Sequence, residues 1–379
     1  MRFLEEFRDP ETARGLLDSI RVMARGLPQV RLMEVCGTHT VSIFRYGIRD
    51  LLPENIRLIS GPGCPVCVTP SVFLDQAICI AREPDVTLVS FGDMMRIPGS
   101  ESSLEMERAR GRDVRVVYSP LDALQIAREN PSRLVVFLGV GFETTAPAVG
   151  VTLLRAKAEG IGNFLVLGAH KRIVPAMEAL LKTEGFSLDG FICPPHVSAV
   201  IGSRPYQVLA ESWNMPCVVT GFEPLDILQG IHMLLEQILA GEHKVQVQYR
   251  RAVPNGGNPA AMRVMEEVFQ VKESLWRGLG KIAKSGLEIH EGFSHFDAMV
   301  RFQPQITEAL DPPGCQCGDV LRGVLEPWNC KMFGTLCTPQ RPLGPCMVSG
   351  EGTCAAHFKY GWKLLQKNKA GFKGGHRGQ

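Results

Sequence analysis

The sequence predicts an α/β protein: two similar parallel-sheet units facing one another across a cleft, followed by a cysteine-rich region. Three observations predict it. Short β-branched runs alternate with amphipathic stretches through the middle of the chain, the pattern of parallel strands joined by helices. Pro120-Leu-Asp-Ala-Leu-Gln125 is echoed by Pro224-Leu-Asp-Ile-Leu-Gln229, which suggests a second unit built like the first. Six of the twelve cysteines fall between residues 315 and 354, so something is assembled there.

The elements follow in order. Residues 1–50 read as an N-terminal helical segment with a Cys36 motif, packing with the last domain. Residues 51–145 read as the first α/β domain, 146–240 as the second, and 241–379 as a helical and cysteine-rich third. Candidate strands are Ile56–Ser60, Val86–Phe91, Val114–Tyr118, Leu134–Leu138, Phe164–Leu167, Gly190–Ile192 and Cys217–Thr220. Between them, Ser71–Arg82, Leu121–Glu129, Ala146–Glu159, Val174–Thr183 and Pro224–Leu239 are amphipathic. Pro120 and Pro224 sit at helix starts, where a fixed φ and a missing N–H cost nothing. Tyr249–Asn258 reads as a loop, followed by a helix from Pro259 to about Val271. Residues 311–360 bury little apolar surface and are expected to need a metal to fold. The tail Lys367–Gln379 is basic and Gly-rich and is expected to fray.

Composition narrows the function. The net charge is +2 and aromatics are 7% of 379 residues, a poor match to a nucleic-acid binder or a base-stacking platform. No apolar run approaches the ~20 residues of a membrane span. The charged start, Met1 to Pro10, does not resemble a secretory signal. The expected compartment is the cytoplasm, where cysteines serve metals or thiol chemistry more than disulfide frames.

Gly, Pro and polar residues collect just after the strands, where α/β sheets bind ligands. Cys64-Pro-Val-Cys67 follows Gly61-Pro-Gly63 and precedes a helix. A helix N-terminus lowers a thiol pKa, which favours redox use over two inert buried thiols. Cys36-Gly-Thr-His39-Thr40 places a His one turn from a Cys. The His could deprotonate the thiol, or both could ligate a soft metal, and His39 or a helix N-terminus is expected to lower the Cys36 pKa; a buried Cys with a capping Thr is the plain alternative. Cys193-Pro-Pro-His196, with His170 after the preceding strand, aims a second His at the cleft. Glu143-Thr-Thr145 either caps the next helix or binds a ligand. Gly139-Val-Gly141 is not a dinucleotide fingerprint, and no Walker loop is present. Cys330, Cys337, Cys346 and Cys354 can bind Zn²⁺ or a [4Fe–4S] cluster. Their wide, Pro-interrupted spacing suits loops wrapped round the larger object. Cys315 and Cys317 are spare, since CxC is tight for joint chelation.

Cys36-Gly-Thr-His-Thr40, Gly61-Pro-Gly-Cys-Pro-Val-Cys67, Gly141-Phe-Glu-Thr-Thr145, Pro195-His-Val-Ser198 and Gly344-Pro-Cys-Met-Val-Ser349 together resemble the HypD family of [NiFe]-hydrogenase maturation factors. The similarity runs over nearly the whole chain. It implies two Rossmann-like domains and a third holding a [4Fe–4S] cluster. It implies assembly of the Fe(CN)2CO group with a small HypC-type chaperone, and cyanide from a HypE-type donor supplied by HypF. Carried over by position, Cys36 holds the iron, a transient Fe(II) carrying CN and CO. Cys64 and Cys67 form the thiol/disulfide pair. His39, His196 and Glu351 are functional residues of the cleft or cluster side. Cys330, Cys337, Cys346 and Cys354 hold the cluster. Ser349-Gly350-Glu351 stands where the family pattern has Ser-Ser-Glu. The implied protein is a monomer that forms hetero-complexes, an assembly factor with redox chemistry rather than a conventional turnover enzyme.

The residues agree with that role. A soft thiolate suits low-spin Fe(II) with cyanide and CO, and a cluster plus a dithiol are two electron stores. Two competitors remain. One is a thioredoxin-like disulfide reductase with a structural zinc domain. The other is a scaffold that docks iron without redox chemistry.

Overall fold

The computed structural model describes residues 5–183, 185–306, 309 and 311–361. Its strands, in chain order, are β1 (Val30–Glu34), β2 (Ile56–Ser60), β3 (Val86–Ser90), β4 (Val114–Val116), β5 (Leu134–Gly141), β6 (Phe164–Lys171), β7 (Gly190–Cys193), β8 (Cys217–Val219), β9 (Val245–Val247), β10 (Phe269–Trp276) and β11 (Gly280–Ile289). The first sheet has the order β2-β1-β7-β8-β9 and is parallel throughout. The second has the order β10-β11-β6-β5-β3-β4; β3 to β6 are parallel, and the β10–β11 hairpin adds antiparallel strands at one edge.

The α/β class and the two parallel-sheet units stand. Both sheets wind alike. In each, the first strand has the second on one side and the third and fourth on the other. That order is forced outward by right-handed crossovers and leaves a switch point at β1/β7 and at β3/β5. The central strands are buried on both faces: every residue of β3 is buried, as is β5 from Val135 onward. Their Val and Leu runs are the composition such strands need.

Sheet membership does not follow a division at residues 145 and 240. The first sheet takes residues 30–60 and then 190–247; the second takes 86–171 and then 269–289. Residues 1–50 supply more than helices, because β1 is an interior strand of the first sheet. The sequence echo is not a structural repeat. Pro120–Glu129 follows β4, an edge strand, whereas Pro224–Ala240 follows β8, an interior one. Two helices simply start alike, with Pro in the first turn and an Asp two residues on. The helix expected to reach Val271 stops at Val268, where the chain turns into β10. The tail Lys367–Gln379 lies outside the described residues.

Helix Pro10–Ala24 packs against Pro224–Ala240 and covers one face of the first sheet. Gly241 ends the latter helix in the left-handed region at φ 62°, where glycine pays no Cβ penalty. Helix Ser71–Arg82 covers a face of the second sheet. The inner faces of both sheets merge into one apolar cluster that includes Cys317, Cys337, Cys346, Cys354, Val320, Leu321 and Met347 of the cysteine-rich segment. That segment is therefore roofed by the rest of the protein rather than packed on itself. Arg96 donates to the Pro339 carbonyl at 2.8 Å and Ser349 Oγ to Asp93 at 3.0 Å, tying it to the second sheet. A Cβ on Gly278 would stand 2.4 Å from Gly318 Cα, so the hairpin turn touches it backbone to backbone. No described helix is long and apolar enough to cross a membrane.

Candidate functional site

Four neighbouring strands of the first sheet end on one rim. In spatial order β2, β1, β7 and β8, they lead into the turns carrying Cys64 and Cys67, Cys36, His196, and Phe222. The β1/β7 switch point lies in the middle, between Cys36 and His196. The cleft residues thus come from one sheet, not from facing turns of two. The second sheet contributes Asp93 and Arg96, which hold the cysteine-rich segment over the rim.

Cys36 ends the extended chain after β1 and opens the helix Gly37–Arg45. Its Sγ lies 3.9 Å from His196 Nδ1. The turn after β2 lies directly on it: Gly37 N donates to the Gly63 carbonyl at 3.2 Å, and a Cβ on Gly63 would meet Cys36 N at 2.1 Å. On the other side a Cβ on Gly37 would meet the Glu351 carbonyl at 2.4 Å, and Thr38 Oγ1 donates to Glu351 Oε1 at 2.7 Å. Only glycine at 37 and 63 lets three backbones converge here.

The thiol's electrostatics reverse the sequence expectation. Burial pushes the Cys36 pKa up to about 12, and nearby Glu351 pushes the same way; the N–H groups of Thr38 and His39 pull it down but lose. Desolvation of the anion outweighs the helix N-terminus. Nor is His39 its base. His39 is buried, and its Nε2 faces the carbonyls of Thr220 at 3.0 Å and Gly221 at 3.1 Å. Carbonyls only accept, so the proton sits on Nε2. Burial lowers its pKa to about 4, leaving it neutral. The histidine that reaches Cys36 is His196, likewise lowered to about 4 by burial.

A disulfide joins Cys64 and Cys67. Cys67 Sγ lies 3.8 Å from the carbonyl of Pro345, the residue before Cys346. The pair therefore stands between the Cys36 turn and the cysteine cluster.

The C-terminal cysteines do converge. Cys315, Cys317, Cys330, Cys337 and Cys354 line a cavity of about 20 Å³ walled by Val320, Phe333, Leu343 and Met347. Cys346 reaches Cys317 and Cys354 by thiol hydrogen bonds. A Cβ on Gly344 would lie 2.5 Å from Cys315 Sγ and 2.7 Å from Cys317 Sγ, so glycine keeps this cradle open. An all-thiol, largely apolar cradle fits an iron–sulfur cluster. Among the described residues, no three His, Cys, Asp or Glu are grouped so as to hold a single metal ion. Cys317, set aside as spare, sits within hydrogen-bonding reach of Cys315, Cys346 and Cys354. The Cys317 thiol in turn brings Cys315 down to about 7.

Other candidates lie elsewhere. β6 and β7 belong to different sheets, so His170 is no neighbour of His196; it packs on Phe269 and against Gly139. Both Glu143 oxygens accept from Ile173 N, so Glu143 reaches the start of the helix Ile173–Leu181 and not that of the next helix, Ala146–Ala158. Cys193 is buried at the end of β7 with its thiol toward Cys217. A Cβ on Gly350 would meet nothing within 4 Å, so the departure from Ser-Ser-Glu removes a hydroxyl without reshaping the turn. Two side chains of the site were not singled out from the sequence, although one lies in a turn after a strand, Gly221-Phe-Glu-Pro224. Phe222 packs on both histidines. Glu34, buried at the end of β1 two residues before Cys36, accepts from Ser60 Oγ at 2.6 Å, and burial raises its pKa to about 7.

The family model described as "HypD: Hydrogenase formation hypA family" matches residues 11–361. The chain is 46% identical over 366 residues to the hydrogenase maturation factor HypD of Escherichia coli (strain K12), covering 95% of this chain and 98% of that one. It is 48% identical over 368 residues to hydrogenase maturation factor HypD of Azotobacter vinelandii, covering 95% and 97%. Against hydrogenase maturation factor HypD2 of Bradyrhizobium diazoefficiens it is 46% identical over 369 residues, covering 95% and 97%.

Proposed function

The chain belongs to the HypD family, and from that premise we propose that it is a cytoplasmic assembly factor for the Fe(CN)2CO group of [NiFe]-hydrogenases. Iron is the cargo. Cys36 anchors it at the β1/β7 switch point, and a small HypC-type chaperone supplies a second thiolate. A HypE-type donor delivers cyanide. The observation that carries the reading is the 3.9 Å approach of His196 Nδ1 to Cys36 Sγ, beside the turn of Cys64 and Cys67. A thiol held as high as Cys36 stays protonated until a cation arrives. Binding Fe(II) displaces the proton, and the neutral His196 is placed to take it.

Cys330, Cys337, Cys346 and Cys354 would hold the [4Fe–4S] cluster, with Cys317 packed among them. The cluster would supply electrons one at a time. Opening the Cys64–Cys67 disulfide takes two electrons and two protons and leaves Cys67 facing the Pro345 carbonyl. His39 holds the loop after β8, and Glu351 fixes Thr38 beside the anchor. Glycine at 37 and 63 lets the three turns meet backbone to backbone.

The test is one infrared spectrum of the protein co-purified anaerobically with its small partner. Bound CO and cyanide give isolated stretching bands, which the reading requires. Zinc in place of iron and sulfide, with no such bands, would favour the disulfide reductase, which the Cys64–Cys67 pair alone also suits.

A further inference from the structure

The loop from Thr220 to Glu223 leaves β8 and closes over both histidines of the site. It is braced from several directions. His39 Nε2 donates to the Thr220 and Gly221 carbonyls. Gln248 accepts from Gly221 N at 3.1 Å and donates to Asp226 Oδ1 at 2.8 Å. Buried Asp226 is gripped by both terminal nitrogens of Arg251, at 2.9 and 2.6 Å. A Cβ on Gly221 would lie 2.2 Å from Asp226 Oδ2, so the loop sits where only glycine fits. On its outer side Glu223 takes a bidentate contact from Arg8, at 2.5 and 3.0 Å.

What this brace presents is one ring. The Phe222 centroid is 4.8 Å from His39 and 5.4 Å from His196, with planes inclined at 58° and 36°. Among the described residues the His196 imidazole has one polar partner, the Cys36 thiol at 3.9 Å. A contact that long does not hold a ring, and the last torsion of histidine is broad and soft. A rigid aromatic wall on its face removes the alternatives.

We infer that Phe222 is a positioning residue: pinned by His39 and by the Gln248–Asp226 brace, it fixes the His196 imidazole against the Cys36 thiol. His39 then acts on Cys36 through the loop, not as its base. The functional weight of the inference rests on Cys36 being the iron anchor; the geometry does not.

The test uses the full chain, free of iron, with carbon-13 histidine, and ferrous ion as the probe under anaerobic conditions. The His196 signal is identified by its loss in His196→Gln. In Phe222→Ala that signal shifts and broadens, and ferrous affinity falls about tenfold or more. Phe222→Tyr keeps the ring and restores both. Phe222→Leu keeps apolar volume without the ring and does not restore them. Urea unfolding of each variant identifies any that fails to fold, and Leu then takes the place of Ala. His39→Gln retains a donor to the two carbonyls and keeps the His196 signal, whereas His39→Ala loses it. An unmoved His196 signal in the Ala and Leu variants overturns the inference, as does full rescue by Leu. If the wild type takes up no ferrous ion through Cys36, the anchor reading fails and the histidine signals alone decide the role of Phe222.

Discussion

The Cys67 sulfur lies 3.8 Å from the carbonyl oxygen of Pro345, one residue before Cys346. The Cys64–Cys67 disulfide and the C-terminal cysteines, nearly 280 positions apart in sequence, are neighbours in space. Cys64 and Cys67 should resist alkylation after exposure to air, and both should be alkylated after a mild dithiol, as read by intact mass. Cys64→Ser or Cys67→Ser should block cyanide attachment while ferrous binding survives. Cyanide bands of normal strength in either variant would remove the pair from the chemistry.

Cys36→Ala should abolish the CO and cyanide infrared bands of the partner complex and leave the visible absorbance of the C-terminal cluster intact. Cys36→Ser should retain weak iron, since a hydroxyl is a harder, poorer ligand. Full bands in Cys36→Ala would make the cysteine structural and move the search to Cys64 or Cys67.

Alanine at Cys330, Cys337, Cys346 or Cys354 should lower iron and sulfide content and loosen residues 311–360 to proteolysis. Cys317→Ala belongs in the same series, because Cys317 touches two of the four thiols. Iron retained in all four single variants, but lost in Cys317→Ala, would replace the ligand set.

Gly63 and Gly350 should respond oppositely to a side chain. A Cβ at 63 would stand 2.1 Å from Cys36 N, against backbone that cannot yield. Gly63→Ala should cost more than about 2 kcal/mol in urea unfolding, in the range of overpacked cores. A Cβ at 350 meets open space, so Gly350→Ser should stay within about 0.5 kcal/mol of the parent. Equal costs would mean that the turns after β1 and β2 do not meet as described.

Glu107 should govern part of the acid limb of stability. Its carboxylate takes hydrogen bonds from Arg82, Ser102 and Arg110, and the Arg82 contact leads in holding its pKa down from 4.5 to about 2. A depressed carboxylate stabilises above its ordinary pKa, and the gain is lost as pH falls from about 4.5 to about 2. Discounted for the half-exposed arginines, it is worth roughly 2 kcal/mol. Urea unfolding of Glu107→Gln should trail the parent by that amount at pH 6 and match it by pH 2. A gap that ignores pH would point to packing instead.

What the sequence disclosed depended on range. Cys64, Cys67 and His196 were legible because each lies in a Gly- or Pro-marked turn just after a β-branched run, and Cys36 because a His stands three residues on, although the strand before it was missed. Local rules aim such turns at the strand ends, and the turns are there. The Cys36 pKa was misjudged for the same reason. The helix N-terminus beside it is local, but Gly63 and Glu351, which bury it, come from other parts of the chain. Phe222 is one aromatic in a turn, and nothing near it in sequence marks the two histidines it touches. The start of β10, Phe269 to Val271, was read as the end of a helix because no turn residue separates it from Pro259–Val268. On β10, the edge strand, Lys272 and Glu273 are charges of the kind that discourage unwanted pairing. Which strands share a sheet was beyond local rules altogether.

That interleaving has a consequence for how the chain comes to life on the ribosome. β1 is an interior strand, yet one of its two neighbours, β7, is made only after the whole run from β3 to β6. The second sheet's parallel strands emerge together and can settle early, while the first waits with one flank unpaired. Long-range pairing of this kind is slow and leaves an edge open to wrong partners. Cys36 is translated early, but His196 and the loop that braces it appear some 160 to 190 residues later. A nascent chain therefore carries the Cys36 thiol without its pocket. The thiol meets its histidine only when the interleaved first sheet closes.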